Sequence, residues 1–335
     1  TIGTGSSNEL ANSILYIEDG GFILAGSKST PANGLDFYLV KTSANGTVEW
    51  EKSYGGYADD CANSVTKSSD GGYVLVGYTK SFGAGSSDVM AIKTDSSGEQ
   101  EWFVTFGGVR DDVGESVQQT TDGGFIIAGG SRSFDPAGSY DCYLIATGPT
   151  GNLVWNRTFG GADYDYANSV QQTTDGGFII AGGTGIFLSY VKDMLLIKTD
   201  SQGNPQWTKT YGASGPENAY SVVPTSDGGY LLGGSTRSYG SNEEAYLVKT
   251  DALGALEWQN YFGGGSDERA NSVTQTKDGE YLLVGYTKSY GAGLSDIYYV
   301  KVDRSGNLKT MGTFGGINDD SGYDIVQLQD GSCAI

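Results

Sequence analysis

An Asp-Gly pair returns seven times along this chain, at Asp19-Gly20, Asp70-Gly71, Asp122-Gly123, Asp175-Gly176, Asp227-Gly228, Asp278-Gly279 and Asp330-Gly331. The intervals are 51, 52, 53, 52, 51 and 52 residues, so one repeated unit accounts for nearly the whole sequence. Self-similarity at a period of roughly 20–50 residues marks a solenoid, a propeller or an array, because each unit can bury its apolar face only against copies of itself. The same period speaks against a unique catalytic centre: a residue that recurs in every unit is explained by what every unit needs to fold. Residues 1–335 are therefore read as a single repeat domain.

Within a unit the pattern is that of four short strands. In the fourth unit a first strand is expected at 169–173 and a second at 178–181, joined by Asp175-Gly176-Gly177. Gly tolerates positive φ in such a hairpin, and Asp can hydrogen-bond its own turn. The third strand, at 38–41 or 195–198, is apolar on both faces and must be sandwiched between neighbours. Turns such as Asp95-Ser96-Ser97-Gly98 lead to a fourth strand that carries Trp50, Trp102, Trp155, Trp207 or Trp258. All five tryptophans share this register, with Thr310 in their place in the sixth unit. A ring recurring at one register is expected to wedge between successive units.

Four antiparallel strands per unit, repeated radially, describe the blades of an all-β propeller. Six units are complete, a seventh reaches only its second strand at Ile335, and Thr1-Ile2-Gly3 matches the end of a fourth strand. This favours seven blades, the closing one pairing the C-terminal strands with the N-terminal segment; six blades are the alternative. Gly is 54 of 335 residues, far above the usual share of roughly 7%, which suits many tight turns.

Charge narrows the partners. With 20 basic and 40 acidic residues the net charge is -20, which repels nucleic-acid phosphates and anionic lipid. No apolar run is long enough to span a membrane. There is no His, so the usual general base and commonest transition-metal ligand are both missing. Cys61, Cys142 and Cys333 fall at unrelated places in the repeat and imply no disulfide framework.

The phrases Trp-x-x-Thr-Phe-Gly-Gly, Ala-x-Ser-Val, Asp-Gly-Gly-Phe-Ile-Ile-Ala-Gly and Asp-x-Tyr-Leu-x-Lys-Thr-Asp resemble the β-propeller repeats found in tandem in secreted and surface proteins of bacteria and methanogenic archaea. The resemblance covers nearly the whole chain. It implies an extracellular or cell-surface location and no particular activity.

Each unit places an acid between its fourth strand and the next first strand: Asp60, Asp112, Asp165, Glu217, Glu268 and Asp320, with Glu9 as the counterpart near the start. The loop between second and third strands supplies Lys80, Arg132, Arg237 or Lys288 and ends in Asp36, Asp88, Asp141, Asp193, Glu244 or Asp296. In propeller topology both loops lie on one rim, where each carboxylate is expected to fix a loop through backbone N–H groups or a basic partner. Cation or glycan binding is the functional alternative, but Asp163 and Asp165 approach a calcium loop only weakly, and no metal site is assigned. Paired acids also suit glycoside hydrolysis. No unit stands out as acid or nucleophile, so no catalytic or cofactor-binding residue is assigned. Ile186, Phe187, Leu188 and Tyr190 make an apolar loop tip in the fourth unit, a candidate partner contact. Asn45 and Asn156 open Asn-x-Thr triplets, the glycosylation pattern of secreted glycoproteins.

Together these readings point to an extracellular or cell-surface propeller without catalytic activity or cofactor. It would serve as a rigid binding or assembly module for a protein or a surface glycan, with self-assembly or a neighbouring domain among the partners. A structural subunit of a surface layer or filament is the alternative, and a carbohydrate-active enzyme a further one.

Overall fold

The computed structural model describes residues 8–30, 34–185 and 192–335. Their strands form six four-stranded antiparallel sheets, within residues 9–54, 60–106, 112–159, 164–211, 217–262 and 268–314, here blades 1 to 6. In each, the strands are hydrogen-bonded in sequence order. The seventh unit adds a two-stranded sheet, Val326–Gln327 with Cys333–Ala334. Six blades are therefore built in full, the alternative count, and a seventh is represented by two strands. Thr1-Ile2-Gly3, invoked above for closing that blade, lies outside the described residues. The chain divides into two compact units, Thr1–Gln172 and Thr173–Ile335, and the repeating geometry is the same within each.

Blade 2 shows the plan, with strands Asp60–Lys67, Tyr73–Thr79, Asp88–Thr94 and Gln100–Phe106. The third strand is buried at every position, as a strand covered on both faces must be. The fourth is the exposed outer one. Strands run longer than the hydrophobic pattern suggested: the first strand of blade 4 is Tyr164–Gln172, not 169–173. The missing half opens with Tyr164-Asp165-Tyr166, a run without the apolar alternation that reveals a strand.

A bulge recurs in the first strands. In blade 2 the register shifts between Ala62 and Ser64, opposite Gly77, and equivalent shifts occur in blades 1, 3, 5 and 6. A Cβ on Gly26, Gly77, Gly129, Gly234 or Gly285 would fall inside 3.0 Å of a first-strand carbonyl oxygen, so only glycine fits. The residue skipped by the register is Asn12, Asn63 or Asn271 in three of these blades. A bulge re-aims its side chain, and here the amide reaches forward to the next first strand. Asn12 donates to the Ala62 carbonyl at 2.9 Å, Asn63 to Gly114 at 3.0 Å and Asn271 to Gly322 at 2.8 Å. The serine that follows accepts from the same neighbour: Val117 N–H donates to Ser64, Val170 to Ser116 and Val273 to Ser221, each at 3.2 Å. The Asn-Ser-Val phrase is thus a clamp between consecutive blades.

The core sits between consecutive blades too. Ile23, Phe37 and Leu39 of blade 1 pack with Val65, Leu75, Met90 and Ile92 of blade 2, capped by Trp50. Four of the tryptophans meet the aromatic that opens the next second strand, with ring centroids 6.4 Å apart for Trp50–Tyr73, 6.2 Å for Trp102–Phe125, 6.0 Å for Trp207–Tyr230 and 5.9 Å for Trp258–Tyr281. The ring edge lies on the glycine of the next Asp-x-x-Gly turn. A Cβ on Gly98, Gly151, Gly254 or Gly306 would fall inside 3.0 Å of that ring.

The Asp-Gly pair is tied into this scheme by a lysine. The aspartate accepts from the glycine N–H two residues on, as Asp70 does from Gly72 at 3.0 Å. It also meets the third-strand lysine of its own blade: Lys41–Asp19 at 2.7 Å, Lys93–Asp70 at 2.9 Å, Lys198–Asp175 at 2.8 Å and Lys249–Asp227 at 3.0 Å. Lys93 and Lys249 are almost fully buried, so each ammonium depends on its carboxylates for compensation.

Candidate functional site

The repeated acids come together in pairs. Asp60, Asp112, Glu217 and Glu268 do not stand in the loop: each is the first residue of a first strand and almost wholly buried, and Asp165 is the second residue of its strand. Each faces the acid that opens or adjoins the preceding third strand across the first glycine of the Phe/Tyr-Gly phrase. A Cβ on Gly55, Gly107, Gly160, Gly212, Gly263 or Gly315 would fall inside 3.0 Å of an oxygen from both members. The pairs are Asp36/Asp60, Asp88/Asp112, Asp141/Asp165, Asp193/Glu217, Glu244/Glu268 and Asp296/Asp320.

Within a pair the two members have different tasks. The first-strand acid is saturated with donors: Asp60 takes the Gly56 N–H at 2.8 Å and the Ser81 hydroxyl at 2.7 Å. Asp112 takes Gly108 N–H at 2.8 Å and the Ser133 hydroxyl at 2.6 Å, and Glu268 takes Gly264 N–H at 2.8 Å and the Thr287 hydroxyl at 2.7 Å. Asp320 accepts from Gly316 N–H at 2.8 Å. The third-strand acid is less well served, and Asp36 Oδ1 and Asp141 Oδ1 are buried with no hydrogen-bond partner. Burial, and then the facing carboxylate, raises the pKa of Asp36, Asp88 and Glu244 above the ordinary carboxyl range.

The basic residues of the rim serve other acids. Lys80 pairs with Asp59 at 3.1 Å, Arg132 with Asp111 at 3.2 Å and Lys288 with Asp267 at 3.6 Å, each one residue ahead of the register singled out in the sequence. Asn45 is exposed in the turn between third and fourth strands, its side-chain oxygen taking the Thr47 N–H at 3.1 Å. Asn156 lies within the strand Leu153–Phe159 instead. Ile186, Phe187, Leu188 and Tyr190 lie outside the described residues.

Two clamp positions lack the asparagine, Tyr220 in blade 5 and Glu115 in blade 3. Glu115 stands where the neighbouring blades have Asn63 and Asn168, and it accepts from the Tyr166 hydroxyl at 2.6 Å. Burial raises its pKa to about 7 against that hydrogen bond. An unfolded Glu titrates near 4.3, so its contribution to stability is fully present below that value and is lost as pH rises through about 7. At the acid end, partial burial is outweighed by Lys198 and Thr173 at Asp175, and by Thr225 and Lys249 at Asp227, leaving both near about 2. Their stabilisation is present above roughly pH 4 and is lost as pH falls toward 2. Thermal melts should therefore peak at about pH 4–5. Glu115→Gln should flatten the limb between about pH 5 and 8; an unchanged slope would reject the assignment.

The second candidate site is a groove at the end of blade 6. It encloses about 280 Å³ and is lined by Leu282, Tyr299, Lys301, Phe314, Ile325 and Gln327, among others. Among the described residues, the sheet that follows blade 6 has two strands, Val326–Gln327 and Cys333–Ala334. Phe314 is 58% exposed, whereas its counterparts Phe106 and Tyr211 are 7% exposed. Thr310 replaces the tryptophan, and Gly312 replaces a residue whose Cβ would strike Tyr299, allowing that ring to stack on Phe314 at 5.4 Å. Sequence reasoning noted Thr310 without its consequence, and Gly312 was the signal it passed over.

Similarity to known proteins fixes the fold. The WD40 domain of Neurospora crassa Pan2 superposes with a TM-score of 0.61 at 11% identity, covering 96% of this chain and 83% of that one. The fold is a β-propeller. Puromycin hydrolase is similar over 90% of this propeller and 46% of its own chain, with a TM-score of 0.52 and 13% identity. At such identities the likeness speaks for the fold alone. The regulatory protein FlaEY of Caulobacter vibrioides is 23% identical over 232 residues, and the propeller spans 62% of its own length but only 24% of FlaEY in that match. No protein-family profile matches the propeller.

Proposed function

We propose that this propeller is a non-enzymatic, extracellular or cell-surface binding module, and that the groove at the end of blade 6 is where it holds an extended segment of a partner protein. The observation that carries this reading is the exposed Phe314, stacked with Tyr299 beside a two-stranded sheet. Among the described residues Cys333–Ala334 pairs only with Val326–Gln327, and its other edge offers backbone donors and acceptors for an added strand. Leu282, Tyr299, Phe314 and Ile325 form an apolar floor beneath that edge, which suits alternate side chains of a strand better than the hydroxyls of a sugar. The accessible Asn45 triplet and the resemblance of the repeats support the location.

Selection from a displayed peptide library tests the site. The propeller should enrich peptides with apolar residues at every second position, and Tyr299→Ser with Phe314→Ser should weaken their binding at least tenfold. Peptides that bind the double variant as well as the parent would reject the groove. Recovery of the native protein only from the cytosol would reject the location.

A further inference from the structure

Blade 3 is where the repeat gives up its charges. Opposite the tryptophan register the other third strands carry Lys41, Lys93, Lys198, Lys249 and Lys301, whereas blade 3 has Ala146. Val154 stands at the position from which Glu49, Glu101 and Glu257 meet that lysine, at 2.9, 2.8 and 2.9 Å. Gly148 takes the place of the turn acid, which is Asp95, Asp200, Asp251 or Asp303 elsewhere. Residues 142–162 therefore contain no acid and one charge, Arg157, in a chain with 40 acids among 335 residues.

This uncharged stretch includes the outer strand of the blade, Leu153–Phe159, which pairs with Asp141–Thr147. Among the described residues nothing pairs with its other side, a row of backbone donors and acceptors. Every fourth strand has such an edge, but the others bear an acid, a lysine or a proline of the kind that blocks edge-to-edge pairing: Glu51, Glu101, Pro205, Glu257 and Lys309 in blades 1, 2, 4, 5 and 6. Blade 3 instead exposes Leu153 and Val154, at 48% and 60%. Its Arg157 pairs with no acid among the described residues and lies over the Trp155 ring, 5.6 Å from the centroid.

The strand also complements itself. Set antiparallel to the same strand of a second copy in a register centred on Asn156, it places Val154 opposite Thr158, Trp155 opposite Arg157 and Leu153 opposite Phe159. The first pair is β-branched, the second sets a cation beside an indole, the third is apolar, and no like charges face each other. In blade 1 the same operation would set Glu51 against Glu51. Two copies that each carry a net charge of -20 repel one another, and least where acids are missing.

We infer that the outer strand of blade 3 is a self-association edge, where two copies of the propeller pair antiparallel and join their four-stranded sheets. The second copy is the occupant because this strand complements its own sequence and because an acidic chain meets its own kind at an uncharged edge. The contact uses the same patch on both copies, so it closes at a dimer. It is separate from the groove of blade 6.

Sedimentation velocity with a thiol reductant present reads the association. The parent should dimerise, and more tightly as sodium chloride is raised, because screening relieves repulsion between like-charged copies. Val154→Asp with Thr158→Asp sets carboxylates directly opposite each other and should weaken the dimer roughly tenfold or more, while Val154→Lys with Thr158→Asp should restore it through cross-strand ion pairs. Leu253→Asp, at a position 71% exposed in blade 5, and the groove variant Tyr299→Ser with Phe314→Ser should leave the dimer intact. If a double variant fails to fold, Val154→Asp alone decides. A monomeric parent, a dimer that salt weakens, a dimer indifferent to acids at these two positions, or a charge swap that restores nothing would overturn the inference.

Discussion

Alanine at Gly129 is expected to unfold blade 3, at a cost of about 3 kcal/mol or more. The Cβ would meet the Val113 carbonyl oxygen inside 3.0 Å, and that oxygen belongs to the paired strand, so no side chain can swing away to make room. Relief would require undoing the bulge, which moves Glu115 and every residue before it by one register and turns buried faces outward. The comparison is Gly71→Ala, at a turn with φ of 94° and open space around the Cβ, where strain alone should cost roughly 1–2 kcal/mol. Denaturant titration of the two variants measures the difference. Equal losses would mean that the bulge is not the constraint.

Trp258→Thr is expected to cost about 2–4 kcal/mol, the lower part of the usual range for truncating a large aromatic because the ring is half-buried. It loses Tyr281, the face of Gly306 and the hydrogen bond from its indole N–H to the Arg304 carbonyl at 3.2 Å. The reverse change at the same register, Thr310→Trp, should alter stability by no more than about 0.5 kcal/mol, since Thr310 is exposed on the outer strand. The asymmetry is the informative result. A Thr310→Trp variant stabilised as much as Trp258→Thr is destabilised would show that the end of blade 6 is covered after all.

The strand count, the hairpin turns and the tryptophan wedge could be read from the sequence because each obeys a local rule. Turn glycines need positive φ, and a doubly covered strand is apolar at every position. What could not be read depends on which backbone approaches which side chain. Gly129 looks like any glycine until the Val113 carbonyl is placed opposite it, and Asn63 looks like a polar strand residue until the bulge turns it toward Gly114. The rim acids illustrate the same limit. Their register was visible, but their burial and pairing across Gly55 or Gly160 follow from strands that begin several residues earlier than hydrophobic alternation shows. Lys80 and Arg132 were assigned to that register, and the offset of one residue that sends them to Asp59 and Asp111 has no signature in the repeat.

The amide clamp has a direction. Asn12, Asn63 and Asn271 each give a hydrogen to the blade that follows, and Ser64, Ser116 and Ser221 each receive one from it. Where the clamp is present it is written in the same grammar, and neither side of it needs to know which copy it is joining. A gene that gained or lost one unit by unequal recombination would therefore produce a legal sentence at the new boundary, with donor still meeting acceptor. The near-constant spacing of the repeats suits such exchange, while Glu115 and Tyr220, which give up the amide donor, and Thr310, which gives up the tryptophan, are the positions where a copy departs from that grammar.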